Sequence, residues 1–373
     1  MNITPFQIRV PEEALQDLRL RLRWTRWPDS IAPGWEYGAS LRFMKKLIDY
    51  WANEFDWRAQ EERLNLLPHF HAEIDGLNIH FIHCPGSNKN AMPLILTHGW
   101  PGSFVEMLDL LPLLRDHFHV VVPSLPGYGF SGAPAEPGWN PRRIAAAWAR
   151  LMRGLGYGRF LAQGGDWGAS VSTWLALDFP ELLTGLHLNY IPGSYRPFLG
   201  PGDVLSEVES SYLKEAEEWE RQEDGYGHIQ QTKPQTPAFA LNDSPAGLAA
   251  WIVEKIYAWS DCNGDVESRF SLDEMLTNVQ IYWITQTIHS SMRLYYETMN
   301  MPLRLRQEQR IDVPTAVARF PLEAPMAPRE WVERGYRVVR WTEMPAGGHF
   351  AAWEEPQLLA DDLIEFAQSG LLS

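Results

Sequence analysis

From about residue 91 to residue 195, short unbroken apolar runs alternate with stretches whose apolar positions recur every three or four residues. The first pattern suits a strand buried on both faces, the second an amphipathic helix. Pro93-Leu94-Ile95-Leu96-Thr97 is one such run, and Phe104, Met107, Leu108, Leu111 and Leu114 follow it at helical spacing. Val120-Val121-Val122-Pro123 is a second, and Arg159-Phe160-Leu161-Ala162-Gln163 a third that leads into a helix-like stretch from Ala169 to Leu177. Alternation of this kind predicts an α/β fold with a mostly parallel central sheet between helices. Upstream, Pro11 to Leu22 reads as an amphipathic helix with proline and acids at its start, and Phe70–Ile74 and Leu77–Ile82 read as a hairpin turned at Asp75-Gly76. From about 196 to 305 the strand signal gives way to long helical patterns, and strands resume near 313 with Val313–Arg319 and then Arg337–Trp341. The predicted organisation is therefore an N-terminal arm with the first strands (1–90), a first part of the core (91–195), an inserted helical lid (196–305) and a second part of the core (306–373).

Three strand ends carry candidate chemistry. Gly165-Asp166-Trp167-Gly168 sits where a strand meets a helix, with an aspartate where the related G-x-S-x-G turn has its serine. Glycines 164, 165 and 168 allow a sharp turn that projects the Asp166 side chain outward. Alone, the tetrad reads equally as an acidic loop or a helix cap. His98-Gly99-Trp100-Pro101-Gly102-Ser103 closes the first apolar run, and Gly347-Gly348-His349 precedes a short apolar helix late in the chain. Either histidine could be a packed, hydrogen-bonded core residue. The order is harder to explain away: an oxyanion-type loop, an acidic elbow and a late histidine, each at the end of a strand, as expected where ligands gather at the carboxyl edge of a parallel sheet.

These segments, with Phe320-Pro321-Leu322-Glu323, the extension of the histidine segment through Phe350-Ala351-Ala352-Trp353-Glu354-Glu355-Pro356, and the mid-chain Gly225-Tyr226-Gly227-His228-Ile229-Gln230, Leu241-Asn242-Asp243-Ser244-Pro245 and Ser290-Ser291-Met292-Arg293-Leu294-Tyr295, are similar over nearly the whole chain to the epoxide hydrolases of the α/β-hydrolase superfamily, in their microsomal and juvenile-hormone type. The resemblance implies an α/β-hydrolase core with an inserted lid and an arm that wraps both. It also implies hydrolysis of an epoxide to a vicinal diol without a cofactor.

The chemistry of the residue types fits. An aspartate is already ionised at neutral pH and can attack carbon without a base. The alkyl ester so formed on Asp166 then needs activated water, for which His349 is suited because imidazole titrates near neutrality. The resemblance assigns the histidine's acidic partner to Glu323; Glu343, Glu354 and Glu355 are nearby rivals. Backbone amides of Trp100 and Trp167 are the expected oxyanion donors. The resemblance also assigns lid tyrosines Tyr226 and Tyr295 to the epoxide oxygen, since neutral phenols can donate to it; Tyr296 is an adjacent alternative. A haloalkane dehalogenase-like hydrolase would use the same Asp-His-acid set with the tryptophan after the nucleophile as halide donor. A non-catalytic binding protein on the same fold is the third reading.

Composition narrows the partners. With 45% hydrophobic and 12% aromatic residues, 373 residues suffice for a large core, and the 17 tryptophans suit either packing or an apolar cavity for an apolar or aromatic epoxide. A net charge of −15 argues against nucleic acid. Cys84 and Cys262 are too few and too distant for a disulfide framework, and the pairs His69/His71 and His117/His119 lack a third ligand, so no metal is expected. No apolar stretch is long enough to span a membrane and the N-terminus lacks a signal pattern, unlike the anchored microsomal relatives, which predicts a soluble, cytoplasmic enzyme. The sequence leaves homo-oligomerisation open.

Overall fold

The computed structural model describes residues 1–323 and 325–372. Its single sheet has nine strands: β1 (Ile3–Phe6), β2 (His69–Ile74), β3 (Leu77–Cys84), β4 (Met92–Thr97), β5 (Phe118–Pro123), β6 (Phe160–Gly164), β7 (Leu183–Leu188), β8 (Ile311–Arg319) and β9 (Tyr336–Glu343), in the order β1-β2-β3-β5-β4-β6-β7-β8-β9. The first three strands are antiparallel to one another and β3 is antiparallel to β5; all remaining pairs are parallel. The parallel strands carry the unbroken apolar runs because helices cover both of their faces: every residue of β6 is buried, and from Val313 to Ala318 so is β8. This is the α/β-hydrolase fold.

The predicted hairpin is present. Asp75 (φ 54°) and Gly76 (φ 74°) both take the left-handed conformation that a two-residue turn matched to strand twist requires. The first helix spans Glu12–Arg23 and buries Leu15, Leu18 and Leu22 on one face. Two details differ from the periodicity. β1 is an unforeseen edge strand of four residues, which tolerates Pro5 because an edge needs no donor on its outer side. The apolar pattern after β4 forms not one helix but a 3₁₀ turn (Phe104–Met107) and a short helix (Leu110–Leu114), because Pro112 fits only in a first turn and makes the helix restart.

Between β7 and β8 the chain runs through helices at 207–223, 225–232, 235–241, 245–259, 272–285 and 288–299. Their ends follow the local signals: Ser206 with Glu209 and Ser271 with Glu274 form capping boxes, and Ser244 caps the helix that opens with Pro245. The N-terminal region is tied to these helices and the segments joining them by Arg21–Asp243 (2.7 Å), Lys46–Glu267 (2.6 Å), Tyr50 to Asp273 (2.8 Å) and the buried Trp51 Nε1–H to Gln280 (2.7 Å). Among the described residues no helix is long and apolar enough to cross a membrane. Both cysteines are free.

Parallel register aligns the functional strand ends. Thr97 pairs with Gly164 and Gly164 with Leu188, so the loops after β4, β6 and β7 leave the sheet side by side. The loops after β8 and β9 leave the same carboxyl edge.

Candidate active site

Asp166 is the first residue of the helix Asp166–Asp178, directly after β6, and has φ of 45°. The aspartate itself takes the left-handed conformation; the flanking glycines serve close approach instead. A Cβ on Gly164 would lie 2.2 Å from the Gly168 carbonyl, and one on Gly168 would lie 1.9 Å from the Thr97 carbonyl oxygen. A non-glycine residue held at positive φ is strained by roughly 1–3 kcal/mol, and such strain clusters at functional sites.

The Asp166 carboxylate is held at both oxygens. Trp100 N–H donates to Oδ1 at 2.8 Å, and His349 Nε2 lies 3.5 Å from Oδ2. On the other side of the ring His349 Nδ1 meets Glu323 Oε1 at 2.9 Å and Oε2 at 3.1 Å. The loop that carries His349 turns at Gly347 (φ 102°), and Gly348 runs against the Trp259 carbonyl, which accepts the His349 amide at 2.9 Å.

Each rival acid is engaged elsewhere. Glu354 accepts backbone amides of Asp261 (2.7 Å), Gly348 (3.0 Å) and Phe350 (2.9 Å), and so shapes the histidine loop without touching the ring. Glu355 pairs with Arg269 at 2.6 Å, and Glu343 pairs with Arg319 at 2.9 Å. Only Glu323, 5% exposed, faces the imidazole among these four.

Electrostatics couple these groups. Burial works against the His349 cation, but the Glu323 charge and the hydrogen bonds that the ring donates to Asp166 and Glu323 outweigh it and carry the imidazole well above its ordinary range. His98, by contrast, is a shaping residue. Its Nδ1 donates to the Gly99 carbonyl (3.0 Å), its Nε2 accepts the Leu125 amide (3.1 Å), and burial lowers it to about 4, which keeps it neutral.

Opposite Asp166, Tyr226 and Tyr295 project from helices 225–232 and 288–299. Tyr226 stacks on Trp100 (5.0 Å, 5°), while Tyr295 packs edge-on against Trp167 (4.7 Å, 88°) and against Tyr226 (5.8 Å, 82°). Burial first, and then neighbouring groups including the Asp166 charge, raise both phenols well above their usual range, so both remain protonated donors. Tyr296 is 44% exposed on the far face. Ser290 Oγ and Ser291 O anchor that helix on the loop after β5, through the Gly127 carbonyl (2.5 Å) and the Tyr128 hydroxyl (3.2 Å).

A cavity of about 400 Å³ opens over Asp166 and is lined by both tyrosines, Trp167, Tyr190 and Trp219, with Arg196, Glu220, Asp224 and Arg304 toward solvent. The Trp167 amide has no hydrogen-bond partner in the resting structure, as the first turn of a helix allows. Tyr190, Trp219 and Trp259 were not singled out by the sequence; aromatic residues at 13 tyrosine and 17 tryptophan positions offer no signal that ranks them.

The sequence also overlooked Glu106, which is 8% exposed beneath Asp166. Burial raises its carboxyl to about 8, with the Asp166 charge adding to this and His349 and the Ser103 amide opposing it. A folded value above the unfolded value of about 4.3 means that the native state binds the extra proton. Stability from this group is full below about pH 4 and is lost at up to about 1.4 kcal/mol per pH unit as pH rises toward 8. Glu106→Gln is therefore expected to raise Tm at pH 8 and to leave it nearly unchanged at pH 4; equal shifts at both pH values in calorimetry would contradict a buried neutral acid.

Among the described residues no three His, Cys, Asp or Glu side chains converge as a metal site. His69 instead meets His80 Nε2 through Nδ1 at 2.9 Å, and its Nε2 meets the Leu64 carbonyl at 2.8 Å; burial lowers both imidazoles, keeping them neutral.

Comparison with known proteins places this geometry. Residues 3–107 match the family model "Epoxide hydrolase N terminus", and residues 92–232 match the model of the alpha/beta hydrolase fold. A putative epoxide hydrolase of Stigmatella aurantiaca is 46% identical over 98% of this chain and 84% of its own length. This chain belongs to the epoxide hydrolase family. Epoxide hydrolase 1 of Sus scrofa is 40% identical over 98% of this chain and 88% of that protein. The structure of Aspergillus niger epoxide hydrolase superposes with a TM-score of 0.88 at 32% identity, covering 99% of this chain and 97% of that one. Juvenile hormone epoxide hydrolase from Bombyx mori gives 0.85 at 33% identity, covering 99% and 94%. The epoxide hydrolase described here thus aligns over 97% and 94% of the length of these two solved structures.

Proposed function

We propose that this epoxide hydrolase adds water to an epoxide in two covalent steps. Asp166 Oδ2 attacks a ring carbon, the C–O bond of the ring breaks, and the departing oxygen takes a proton from the Tyr226/Tyr295 pair. Asp166 Oδ1 becomes the ester carbonyl, held by the Trp100 amide and, once charge develops there, by the Trp167 amide. Water then gives a proton to His349 and bonds to the ester carbon. The tetrahedral intermediate collapses, the ester C–O bond breaks, the alkoxide recovers the proton from His349 to complete the vicinal diol, and the regenerated Asp166 carboxyl passes its remaining proton to His349.

The observation that carries this reading is the paired hold on Asp166, with Oδ1 on the Trp100 amide at 2.8 Å and Oδ2 beside His349 at 3.5 Å. The same pairing times the base. In the resting enzyme two carboxylates favour the imidazolium; esterification neutralises Asp166 and lowers the imidazole pKa, so His349 gives up its proton, which restores the phenol ionised by ring opening, and is then free to accept one when the ester needs water. Glu323 then orients the ring and stabilises the returning cation.

The substrate that best fits the cavity places its epoxide among Tyr226, Tyr295 and Trp167 with an apolar or aromatic substituent against Tyr190 and Trp219, and tolerates polarity at its far end beside Arg196 and Arg304. Residues 1–90 act as an arm, 91–195 and 306–373 as the core, and 196–305 as the lid that closes over it.

Single turnover in oxygen-18 water tests the pathway. The isotope is expected in the peptide that contains Asp166 and not in the first diol released. Label in that diol and none in the peptide would mean direct attack by water. One observation favours a halide-releasing hydrolase: the buried Trp167 Nε1–H lacks an acceptor. Halide release from a small haloalkane that survives Tyr226→Phe and Tyr295→Phe would establish that reading instead.

A further inference from the structure

Asp166 separates two spaces. The large cavity carries the tyrosines; a second, small cavity of about 20 Å³ is lined by Gly99, Trp100, Glu106, Asp166, Asn189 and His349, among others. That volume holds one water, and a buried water needs two or more polar partners. His349 also lines a cavity of about 60 Å³ with Asp166, Tyr226 and Glu323, and the small space is the one that brings the imidazole and Asp166 together with Glu106.

Glu106 supplies a carboxyl to this small space. The chain makes room for it: a Cβ on Gly102 would lie 1.2 Å from Glu106 Oε1, so a side chain at 102 would occupy the place that the carboxyl fills. The carboxyl comes from the 3₁₀ turn Phe104–Met107, a rigid element fixed by the Ser103 hydroxyl, which itself donates to Asn278 Oδ1 at 2.8 Å. The Ser103 amide also donates to this carboxyl, and Glu106 lines the space that Asp166 and His349 line as well.

We propose that Glu106 is a positioning residue for the second half of the reaction: its carboxyl oxygen accepts one hydrogen of the hydrolytic water, so that the other points at His349 Nε2 and a lone pair at the Asp166 ester carbon. The inference rests on the covalent pathway set out above. Because burial keeps Glu106 protonated near neutral pH, it orients the water through its carbonyl oxygen without competing with His349 for the proton. In the chemical step the water's proton goes to His349 and its oxygen bonds to the ester carbon; Glu106 neither gains nor loses a proton overall.

The test separates the two half-reactions of the full-length enzyme with styrene oxide, comparing wild type, Glu106→Gln and Glu106→Leu. Stopped-flow tryptophan fluorescence follows alkylation, and rapid quench with mass spectrometry of the intact protein follows the ester. Glu106→Leu is expected to alkylate at the wild-type rate but to hydrolyse the ester about 10²-fold more slowly, the scale of a misplaced reactant, so the alkyl-enzyme accumulates. Glu106→Gln, which keeps the carbonyl acceptor, is expected to restore hydrolysis to within a few-fold. Ester hydrolysis unchanged in Glu106→Leu overturns the proposal, as does equal slowing of both half-reactions, which would mark a structural role. If no ester forms in any protein, including wild type, the covalent pathway itself fails.

Discussion

Asp166→Ala is expected to lower conversion of styrene oxide to its diol by at least about 10⁴-fold, the scale seen when a nucleophile is removed from a site whose members act as a unit. No neighbouring carboxylate can substitute. Glu323 is committed to His349 Nδ1 at 2.9 Å, and Glu106 does not line the cavity that carries the tyrosines. Alanine at a position with φ of 45° is also strained, so circular dichroism and thermal unfolding should accompany the assay, with Asp166→Asn as the less disruptive partner. His349→Gln gives the complementary result. Its nucleophile is intact, so one equivalent of diol precursor is captured as an ester that persists, visible as a mass increase of one substrate per chain. Turnover within tenfold of wild type in both Asp166 variants would remove aspartate from the role of nucleophile.

The second large effect is expected at the phenols. Tyr226→Phe and Tyr295→Phe should each slow alkylation by about 10²-fold, the usual contribution of a positioned acid, and the double variant by more. Phenylalanine preserves the stacking of residue 226 on Trp100 and the edge-on packing of residue 295 against Trp167, so loss can be assigned to the hydroxyls. Ester hydrolysis should be unaffected, because neither phenol lines the small space shared by Asp166, Glu106 and His349. Tyr296→Phe is the internal control: a residue 44% exposed on the opposite face should leave both steps unchanged. Stopped-flow alkylation rates at saturating styrene oxide would decide this, and wild-type rates in both single variants would leave epoxide opening without its acid.

Much of the architecture was legible in the chain because it depends on short-range physics. Unbroken apolar runs mark strands buried on both faces, and β4, β5, β6 and β8 lie where the runs do. Asp75-Gly76 dictates its own turn, since both residues accept positive φ at little cost. The positions of Asp166 and His349 at strand ends followed from the same patterning, and convergence at the carboxyl edge follows once the strands are parallel.

What depended on direction and burial was decided only in three dimensions. The resemblance favoured Glu323 as partner of His349, while Glu343, Glu354 and Glu355 stood near the histidine in sequence as rivals. Packing sent Glu343 and Glu355 to arginines and Glu354 to three backbone amides, leaving Glu323 on the ring. Tyr295 and Tyr296 differ by one step of about 100° around a helix, a difference invisible until the helix has a buried face. β1 was too short, and its proline too discouraging, to register without the edge of β2 to pair with. Glu106 looked like any acid in the first turn of a helix; only the fold buries it beside Asp166 and His349, because burial depends on distant segments closing around a residue, which local pattern does not record.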